Sequence, residues 1–446
     1  MRFGFLLVAL VLLVGHATAQ DKPKAALRLQ TRHVGDKLSV VAFLDNVTDG
    51  PITLRENCVP EFNAYTWVTV EVDDKPVSLS NRNAFAVHKS EQVIESRKSV
   101  CIGEVSLTPR SDISPCLDLK PGKYTIRVKL QEYRIKGNDL GPVSAATIQV
   151  DMPKTYTYKT AGELPIKADV YRAPGDEVRP VIVWIHGGAL IVGQRGGISP
   201  VQRKRYLDAG YVVVSIDYRL APETKLKGII EDIQDAFKWV RTKGPEEFKI
   251  DPKRIVVIGH SAGGYLTLMS GFAVEPRPQG LIAFYGYGDI DGDWYAKPDP
   301  FYRKIRPIVS KEDAYKAIGT KEIAEGNVKG RGDFYMYCRQ NGLWPLLVAG
   351  HDPVKERKEF DRFCPVRNVT KDYPPTLLLH GDNDTDVPYQ QSVDMAAELK
   401  RVGVEHELVT IKGGGHGFDG GKGMEDPRVV AAFERVDAFL KKYAGK

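Results

Sequence analysis

The chain has 446 residues, 42% apolar and 27% charged, with a net charge of +6. That length exceeds one ordinary domain and that apolar fraction supports real cores, which excludes a disordered chain and predicts two domains. The small basic excess is spread out, with no run of five Lys or Arg, which excludes a nucleic-acid footprint.

The first residues read as a leader. Arg2 precedes the apolar run Phe3–Val14, and Ala17-Thr18-Ala19 is a small-residue cleavage site. This pattern predicts a secretory signal over residues 1–19 and a secreted or periplasmic product. The run is shorter than the roughly 20 residues that span a bilayer, and no later segment is long enough. No stable membrane anchor is expected after signal removal. Export permits disulfides. Cys58, Cys101, Cys116, Cys338 and Cys364 are odd in number, so at least one is free. The pairing does not follow from sequence; Cys338 with Cys364 is the first expectation, because both lie in one irregular region. No Cys/His spacing suits zinc, and neither a metal nor a cofactor is expected.

From Lys24 to Val150 the pattern has period two. "KLSVVAFLDNVT", "AYTWVTVEVDD", "KSVCIGEVSLTP", "KYTIRVKLQEYRI" and "ATIQVDMP" read as strands, separated by turn signals such as Asp49-Gly50-Pro51 and Pro121-Gly122. Six to eight short strands predict an all-β, immunoglobulin-like sandwich over 20–152, with its boundary near Met152–Tyr158. Phe62, Tyr65 and Trp67 are either core or a sugar-stacking platform, and a scaffold role is preferred.

After the boundary, apolar strands alternate with amphipathic helices. "RPVIVWIHGG", "YVVVSIDYRL", "RIVVIGH", "GLIAFYGYGD", "PTLLLHGD" and "EHELVTI" are the strands. "KLKGIIEDIQDAFKWVRTK" is a helix with Ile229, Ile233, Ala236, Phe237 and Val240 on one face. "VPYQQSVDMAAELKRVG" and "DPRVVAAFERVDAFLKKYAG" are two more. This rhythm predicts a mostly parallel sheet covered on both faces, over 153–446, with ligands at the carboxyl ends of the strands. From about 290 to 373 the alternation stops. That stretch carries Trp294, Tyr295, Phe301, Tyr302, Phe334, Tyr335, Tyr337 and Trp344, and reads as a cap or lid.

Gly259-His260-Ser261-Ala262-Gly263 sits where a strand turns into a helix. A serine displayed there needs a strained backbone, so its neighbours two residues away must be small. The helix start then offers the Ala262 N–H to a developing oxyanion. Further donors are expected from Gly188 and Ala189, in the loop that follows "VIVWIHG", with Gly187 needed for the turn. A serine needs a base. His380 precedes any acid on its loop, and His406 lies inside a strand, so His416 in "KGGGHGFDGG" is selected. Asp382, Asp384 and Asp386 compete as the acid. A calcium loop is excluded, because no glycine takes its sixth position and Val393 stands where its last ligand would be. Asp384 is chosen to orient His416.

These motifs, "HGG" (186–188), "DYRLAP" (217–222), "GHSAGG" (259–264), "HGDNDTDVP" (380–388) and "GGGHGF" (413–418), resemble the α/β-hydrolase superfamily over about 155–446. The similarity is to its esterase/lipase group, on the feruloyl and acetylxylan esterase-like side, related to hormone-sensitive-lipase-like carboxylesterases. Ala189 stands where the latter usually have a third glycine, and His260 where they have Asp. The resemblance implies an α/β-hydrolase fold and a serine hydrolase acting on small-molecule or polysaccharide-linked carboxylic esters; with the leader and the 290–373 stretch, the expectation is a secreted enzyme with a cap insertion. It also supports Asp384, because the acid in such families precedes x-x-Val-Pro. A prolyl-oligopeptidase-type peptidase is the alternative reading, and a non-catalytic binding module a remote one. Asn46, Asn368 and Asn383 head glycosylation sequons; a glycan on Asn383 would crowd Asp384, so none is expected there.

Overall fold

The computed structural model describes residues 23–34, 37–55, 68–77, 91–107, 119–130, 140, 143–326 and 330–445. The leader, Cys58, Cys116, Phe62, Tyr65 and Trp67 lie outside them. The chain divides at Val150–Asp151 into two compact units.

The N-terminal unit holds strands β1 (Ala25–Val34), β2 (Lys37–Asn46), β3 (Ile52–Arg55), β4 (Val68–Val72), β5 (Lys75–Val77), β6 (Glu91–Ile94), β7 (Ser99–Ser106), β8 (Gly122–Leu130) and β9 (Ala146–Met152). They form sheets in the orders β1-β2-β7, β3-β6 and β5-β4-β8-β9. β2 runs antiparallel to β7, β3 to β6, and β4 to both β5 and β8. The alternation in β8 is the physical signature read from sequence. Ile126, Val128 and Leu130 are buried while Arg127 is exposed and Lys129 pairs across the sheet with Glu71. Asn46 is buried, and its amide donates to Gly50 O and Ile94 O, both at 2.8 Å, so this sequon asparagine is used internally.

The second unit is built on one sheet of eight strands. They are β10 (Lys154–Ala161), β11 (Leu164–Tyr171), β12 (Arg179–Ile185), β13 (Val212–Ile216), β14 (Ile250–His260), β15 (Gly280–Phe284), β16 (Thr376–Gly381) and β17 (His406–Ile411), in the order β10-β11-β13-β12-β14-β15-β16-β17. From β13 to β17 the neighbours are parallel. β10 and β11 add an antiparallel edge. The segment expected to be a boundary therefore opens this sheet. Its period-two pattern, "KTYTYKTAGELPIKADVY", continues the rhythm of the preceding half, and that hid the change of sheet.

Both faces of the sheet are covered. In β12, Val181, Val183 and Ile185 enter one core cluster, and Ile182 and Trp184 the opposite one. Helices α1 (Pro200–Asp208), α2 (Leu226–Glu247), α3 (Ala262–Ala273), α4 (Asp293–Ala296), α5 (Pro300–Ile305), α6 (Lys311–Tyr315), α7 (Arg331–Asn341), α8 (Gln390–Val402) and α9 (Pro427–Tyr443) complete the unit. All five apolar positions picked out in α2 are buried. Four of the helices, α4–α7, belong to the stretch between β15 and β16, which contains no strand among its described residues. Its aromatics pack on one another, with Tyr295 stacked on Trp344 at 4.3 Å between ring centres.

The Cys338–Cys364 bridge is not formed: both thiols are free and buried. Cys338 lies on the buried side of α7, in the same apolar cluster as Phe334 and Trp344. Cys364 belongs to that cluster too, but its Sγ faces a carboxylate pair, 3.6 Å from Asp291 Oδ1 and 3.8 Å from Asp289 Oδ1. Sharing an irregular region did not make them neighbours. Among the described residues no helix is long and apolar enough to cross a membrane.

Candidate active site

β12, β14, β16 and β17 end on the same edge of the sheet, and the loops leaving those ends carry every residue selected from the sequence. Ser261 stands between β14 and α3 with φ 57° and ψ −120°, a conformation that L-residues disfavour. Close packing holds it there. A Cβ on Gly259 would lie 2.1 Å from the Gly263 carbonyl oxygen, and one on Gly263 would lie 2.1 Å from the Ile185 oxygen. Only glycine lets strand, turn and helix approach this closely. The turn is pinned by Ser261 N–H donating to Phe284 O at 2.9 Å and Tyr265 N–H donating to Ser261 O at 2.9 Å.

His416 arrives on the loop after β17. Its Nε2 is 3.0 Å from Ser261 Oγ, and its Nδ1 is 2.8 Å from Asp384 Oδ2. An ionised carboxylate only accepts, so Nδ1 carries the proton and Nε2 is left to accept from the serine hydroxyl. The Asp384 side chain is buried. Its Oδ1 accepts the N–H groups of Asp386 at 2.8 Å and Val387 at 3.0 Å. Burial pushes the Asp384 carboxyl up, but bonds from His380 and His416 outweigh it and hold the group far below the usual carboxylate range. Burial likewise works to lower His416. The bond to Asp384, and the charges of Asp386 and Asp384, overcome it, so His416 titrates above an ordinary imidazole.

The other candidates part company. His380 is buried, with Nδ1 2.7 Å from Ser392 Oγ and Nε2 3.3 Å from Asp384 Oδ2, so it braces the acid from behind. His406 bonds Val404 O at 2.9 Å and stays in its strand. Asp382 accepts from Gly413 N–H at 2.5 Å and ties the two loops together. Asp386 does reach the site, from the other side of the ring, with Oδ2 3.4 Å from His416 Nε2.

Gly188, Ala189 and Leu190 all have positive φ, at 112°, 55° and 63°. This tight turn is closed by Ile191 and Val192 N–H groups donating to Gly188 O, both at 2.9 Å. A Cβ on Gly187 would sit 2.6 Å from His260 O and 3.2 Å from Ser261 Cβ, so glycine lets the turn lie against the serine. Ala262 opens α3, where helix N–H groups lack internal partners.

Residues to which the sequence assigned no role at the serine hold this turn in place. Arg331 is buried with Glu223; its Nε donates to Ile191 O at 2.9 Å and its Nη2 to Ala221 O at 2.7 Å. Trp344 Nε1 donates to Ala189 O at 3.1 Å. Both come from the stretch read as a cap. Arg195, also buried, binds Asp169 at 3.0 Å and Glu325 at 2.7 Å and pairs with Asp217, the first residue of "DYRLAP". Ser261 is thus flanked by a turn that the insertion itself supports.

Beside the turn lies a cavity of about 350 Å³, lined by Trp184, His186, Gly187, His260, Tyr285 and Asp419 among others. A larger groove of about 850 Å³ borders Arg179 and Pro180 at the opposite, amino end of β12 and includes no selected residue. Among the described residues, Asp289, Asp291 and Cys364 bring cation-ligand side chains together. Arg367 Nη2 already bonds Asp291 Oδ1 at 2.5 Å and lies 3.6 Å from Asp289 Oδ1, so a guanidinium supplies the positive charge.

Comparison with known proteins bears on the fold that carries this site. A family profile described as alpha/beta hydrolase fold matches residues 182–420. Among curated proteins, non-reducing polyketide synthases of Emericella nidulans and Penicillium rubens are 29% and 28% identical over 347 and 339 residues. These matches cover 65% and 66% of this chain but only 14% of each relative, so the chain spans about a seventh of their length. Among solved structures, a Staphylococcus aureus protein of unknown function superposes with TM-score 0.53 at 22% identity. That match covers 65% of this chain and 99% of the other. An alpha/beta hydrolase superfamily protein from Enterococcus faecalis gives TM-score 0.52 at 22% identity, with the same coverage. At that identity the likeness is one of fold.

Proposed function

Because the chain belongs to the alpha/beta hydrolase fold family, we propose that it is a serine hydrolase cleaving carboxylic esters through an acyl-enzyme on Ser261. The observation that carries the reading is the hydrogen-bonded series Ser261 Oγ–His416 Nε2 at 3.0 Å and His416 Nδ1–Asp384 Oδ2 at 2.8 Å, on a strained strand-to-helix turn.

The steps follow from the atoms. Ser261 Oγ attacks the ester carbonyl carbon while its proton passes to His416 Nε2. Asp384 holds the tautomer and stabilises the resulting imidazolium. The negative oxygen of the tetrahedral intermediate is met by the N–H groups of Gly188, Ala189 and Ala262. Each such donor contributes about 3–4 kcal/mol to transition-state binding. The intermediate collapses, the carbon–oxygen bond to the alcohol breaks, and Nε2–H protonates the leaving oxygen. Water then gives a proton to Nε2 as its oxygen attacks the acyl carbon; the second tetrahedral intermediate collapses, the bond from the acyl carbon to Ser261 Oγ breaks, and Nε2–H returns its proton to Oγ, releasing the acid and free serine.

Labelling with a fluorophosphonate probe and hydrolysis of p-nitrophenyl acetate test this together. Wild-type protein is expected to do both. Ser261→Ala is expected to lose labelling and to lose hydrolysis by a factor on the order of 10⁴ or more. A Ser261→Ala protein that keeps most of its activity rejects the assignment. A panel of acetyl, butyryl, longer acyl and feruloyl esters beside dipeptide amides then ranks the substrates and separates an esterase from a peptidase.

Two further readings belong to the same proposal. Arg2, Phe3–Val14 and Ala17-Thr18-Ala19 support export with cleavage before Gln20, which N-terminal sequencing of the exported protein checks. The antiparallel N-terminal sheets support an immunoglobulin-like scaffold. Retention of the Ser261→Ala chain on insoluble polysaccharide stripped of its esters would replace that role with sugar binding.

A further inference from the structure

His416 has a carboxylate on each edge of its ring. Asp384 meets Nδ1, as the proposed mechanism needs. Asp386, two residues later, brings Oδ2 to 3.4 Å from Nε2, the atom that handles the serine proton. Asp386 is not a loose surface acid. Its Oδ1 accepts from Tyr302 OH at 2.8 Å, from Tyr335 OH, and from Arg339 Nη1 at 2.7 Å. Arg339 also donates to the Asp386 carbonyl oxygen at 2.9 Å. Tyr302 lies on α5, and Tyr335 and Arg339 on α7, so all three donors come from the insertion. They occupy one oxygen of the carboxylate and leave the other towards His416.

Arg339 is built into this position. Its side chain is 1% exposed, paired with Asp299 as well as Asp386, and its guanidinium carbon sits 4.5 Å from the Tyr302 ring centre and 5.1 Å from that of Tyr295. The charges and polar groups around His416 are then few. The loop after β16 supplies Asp384 and Asp386, with His380 behind Asp384. α7 supplies Arg339. The end of β15 supplies the Tyr285 ring, centred 4.6 Å from the imidazole, and the turn before α3 supplies Ser261.

We propose that Asp386 is a second positioning carboxylate for the base, and that the Asp386–Arg339 pair, held by the insertion, sets the pH at which His416 becomes competent. This rests on the ester-hydrolase reading and adds a residue to it. The two charges act in opposite senses. The Asp386 carboxylate favours the imidazolium, and the Arg339 guanidinium opposes it. With Oδ1 held by three donors, the carboxylate keeps its distance and Nε2 stays directed at Ser261. If α5 and α7 move away, Asp386 loses its counter-charge and its tether. Its Oδ2 is then free to take the Nε2–H of the imidazolium, and the proton is withheld from the leaving alcohol. Seating of the insertion and basicity of His416 are therefore one variable.

The test compares Asp386→Asn, Asp386→Glu and Arg339→Met by two readouts. One is the acid limb of kcat/KM against pH on p-nitrophenyl acetate. The other is the imidazole titration of His416 by NMR in histidine-labelled protein, assigned with His416→Gln. Asp386→Asn is expected to move both to lower pH, Arg339→Met to move both to higher pH, and Asp386→Glu to restore the wild-type position. An Asp386→Asn limb that stays put or rises, with only an overall loss of rate, marks a purely structural tie and overturns the proposal. If Asp386→Asn does not fold, an Arg339→Met titration that fails to rise overturns it equally. The NMR titration reads this coupling whether or not the chain hydrolyses any ester, so failure of the coupling is distinguishable from failure of the ester reading.

Discussion

Asp419 Oδ2 lies 3.0 Å from His260 Nε2, which joins the residue just before Ser261 to a carboxylate on the loop of His416. The approach is close without the alignment of a hydrogen bond, since both His260 ring nitrogens lack a directed partner. Asp419 is otherwise well held. Tyr285 OH donates to Oδ1 at 2.8 Å, and Gln202 Nε2 donates to Oδ2 at 2.5 Å. Burial alone pushes the Asp419 carboxyl up, but His260 and these donors overcome it and bring it down to about 2.

A depressed carboxylate stabilises the fold above its unfolded pKa and ceases to as pH falls. From about 4 to about 2 this is worth about 2 kcal/mol. Asp419→Ala is expected to lower stability at pH 7 by at least that much, because it also strands the buried donors of Tyr285 and Gln202. Urea denaturation at pH 7 and pH 3 checks it. The gap between wild type and variant should shrink at the lower pH, and an equal gap at both would count against the ionic part.

Hydrolysis should follow the neutral form of His416. Since its pKa lies above 6.5, kcat/KM is expected to rise with pH through a limb placed higher than that of an unperturbed imidazole. The sign is opposite for the fold, where the proton on His416 stabilises at low pH and its contribution is lost as pH rises through the folded value. A pH–rate profile on p-nitrophenyl acetate checks it, and a limb at or below 6.5 contradicts it.

Gly263→Ala is expected to cost about 1–3 kcal/mol or more and to abolish fluorophosphonate labelling. The new Cβ would sit 2.1 Å from Ile185 O and 2.6 Å from His186 O, both backbone atoms that cannot step aside. Gly264→Ala is milder, since its nearest contacts are 2.9 Å away. Melting temperatures and labelling yields of the pair should rank in that order.

Cys338 and Cys364 are expected to resist alkylation in the folded protein and to react fully, without reductant, once it is denatured. Burial pushes the Cys338 thiol up to about 12 and the Cys364 thiol higher still, so neither supplies thiolate near neutral pH. Peptide mapping after iodoacetamide treatment checks this. A Cys338–Cys364 peptide pair in the unreduced digest would restore the discarded bridge.

Ser261, His416 and Asp384 were legible because each sits at a place that strand–helix alternation identifies. The apolar runs of β12, β14, β16 and β17 had to end on one edge, and the residues after them had to meet there. Asp386 was visible only as a competitor for Asp384, because period and order do not say which side of a ring a carboxylate takes. Arg331, Arg339 and Asp419 were not legible. Their partners, Ala221 O, Asp386 and His260, lie far away in the chain, and no local pattern announces a contact made by tertiary packing. The edge hairpin β10–β11 was missed for a different reason: a strand's period looks the same in either sheet. The expected disulfide failed because sequence proximity carries no information about where a thiol points.

The loop "KGGGHGFDGG" is rich in glycine, the residue that restrains a backbone least, yet it delivers an imidazole to within 3.0 Å of its target. Ahead of His416, Gly413 N–H is fastened to Asp382, and Gly414 O takes Asn383 N–H at 3.0 Å. Behind it, Asp419 is fastened to Tyr285 and Gln202. The histidine hangs between two moorings like a bridge deck between piers, and its aim is borrowed from residues outside its own loop. Stiffening the glycines would therefore gain little in accuracy, whereas loosening either mooring would degrade the base without altering a single atom beside it.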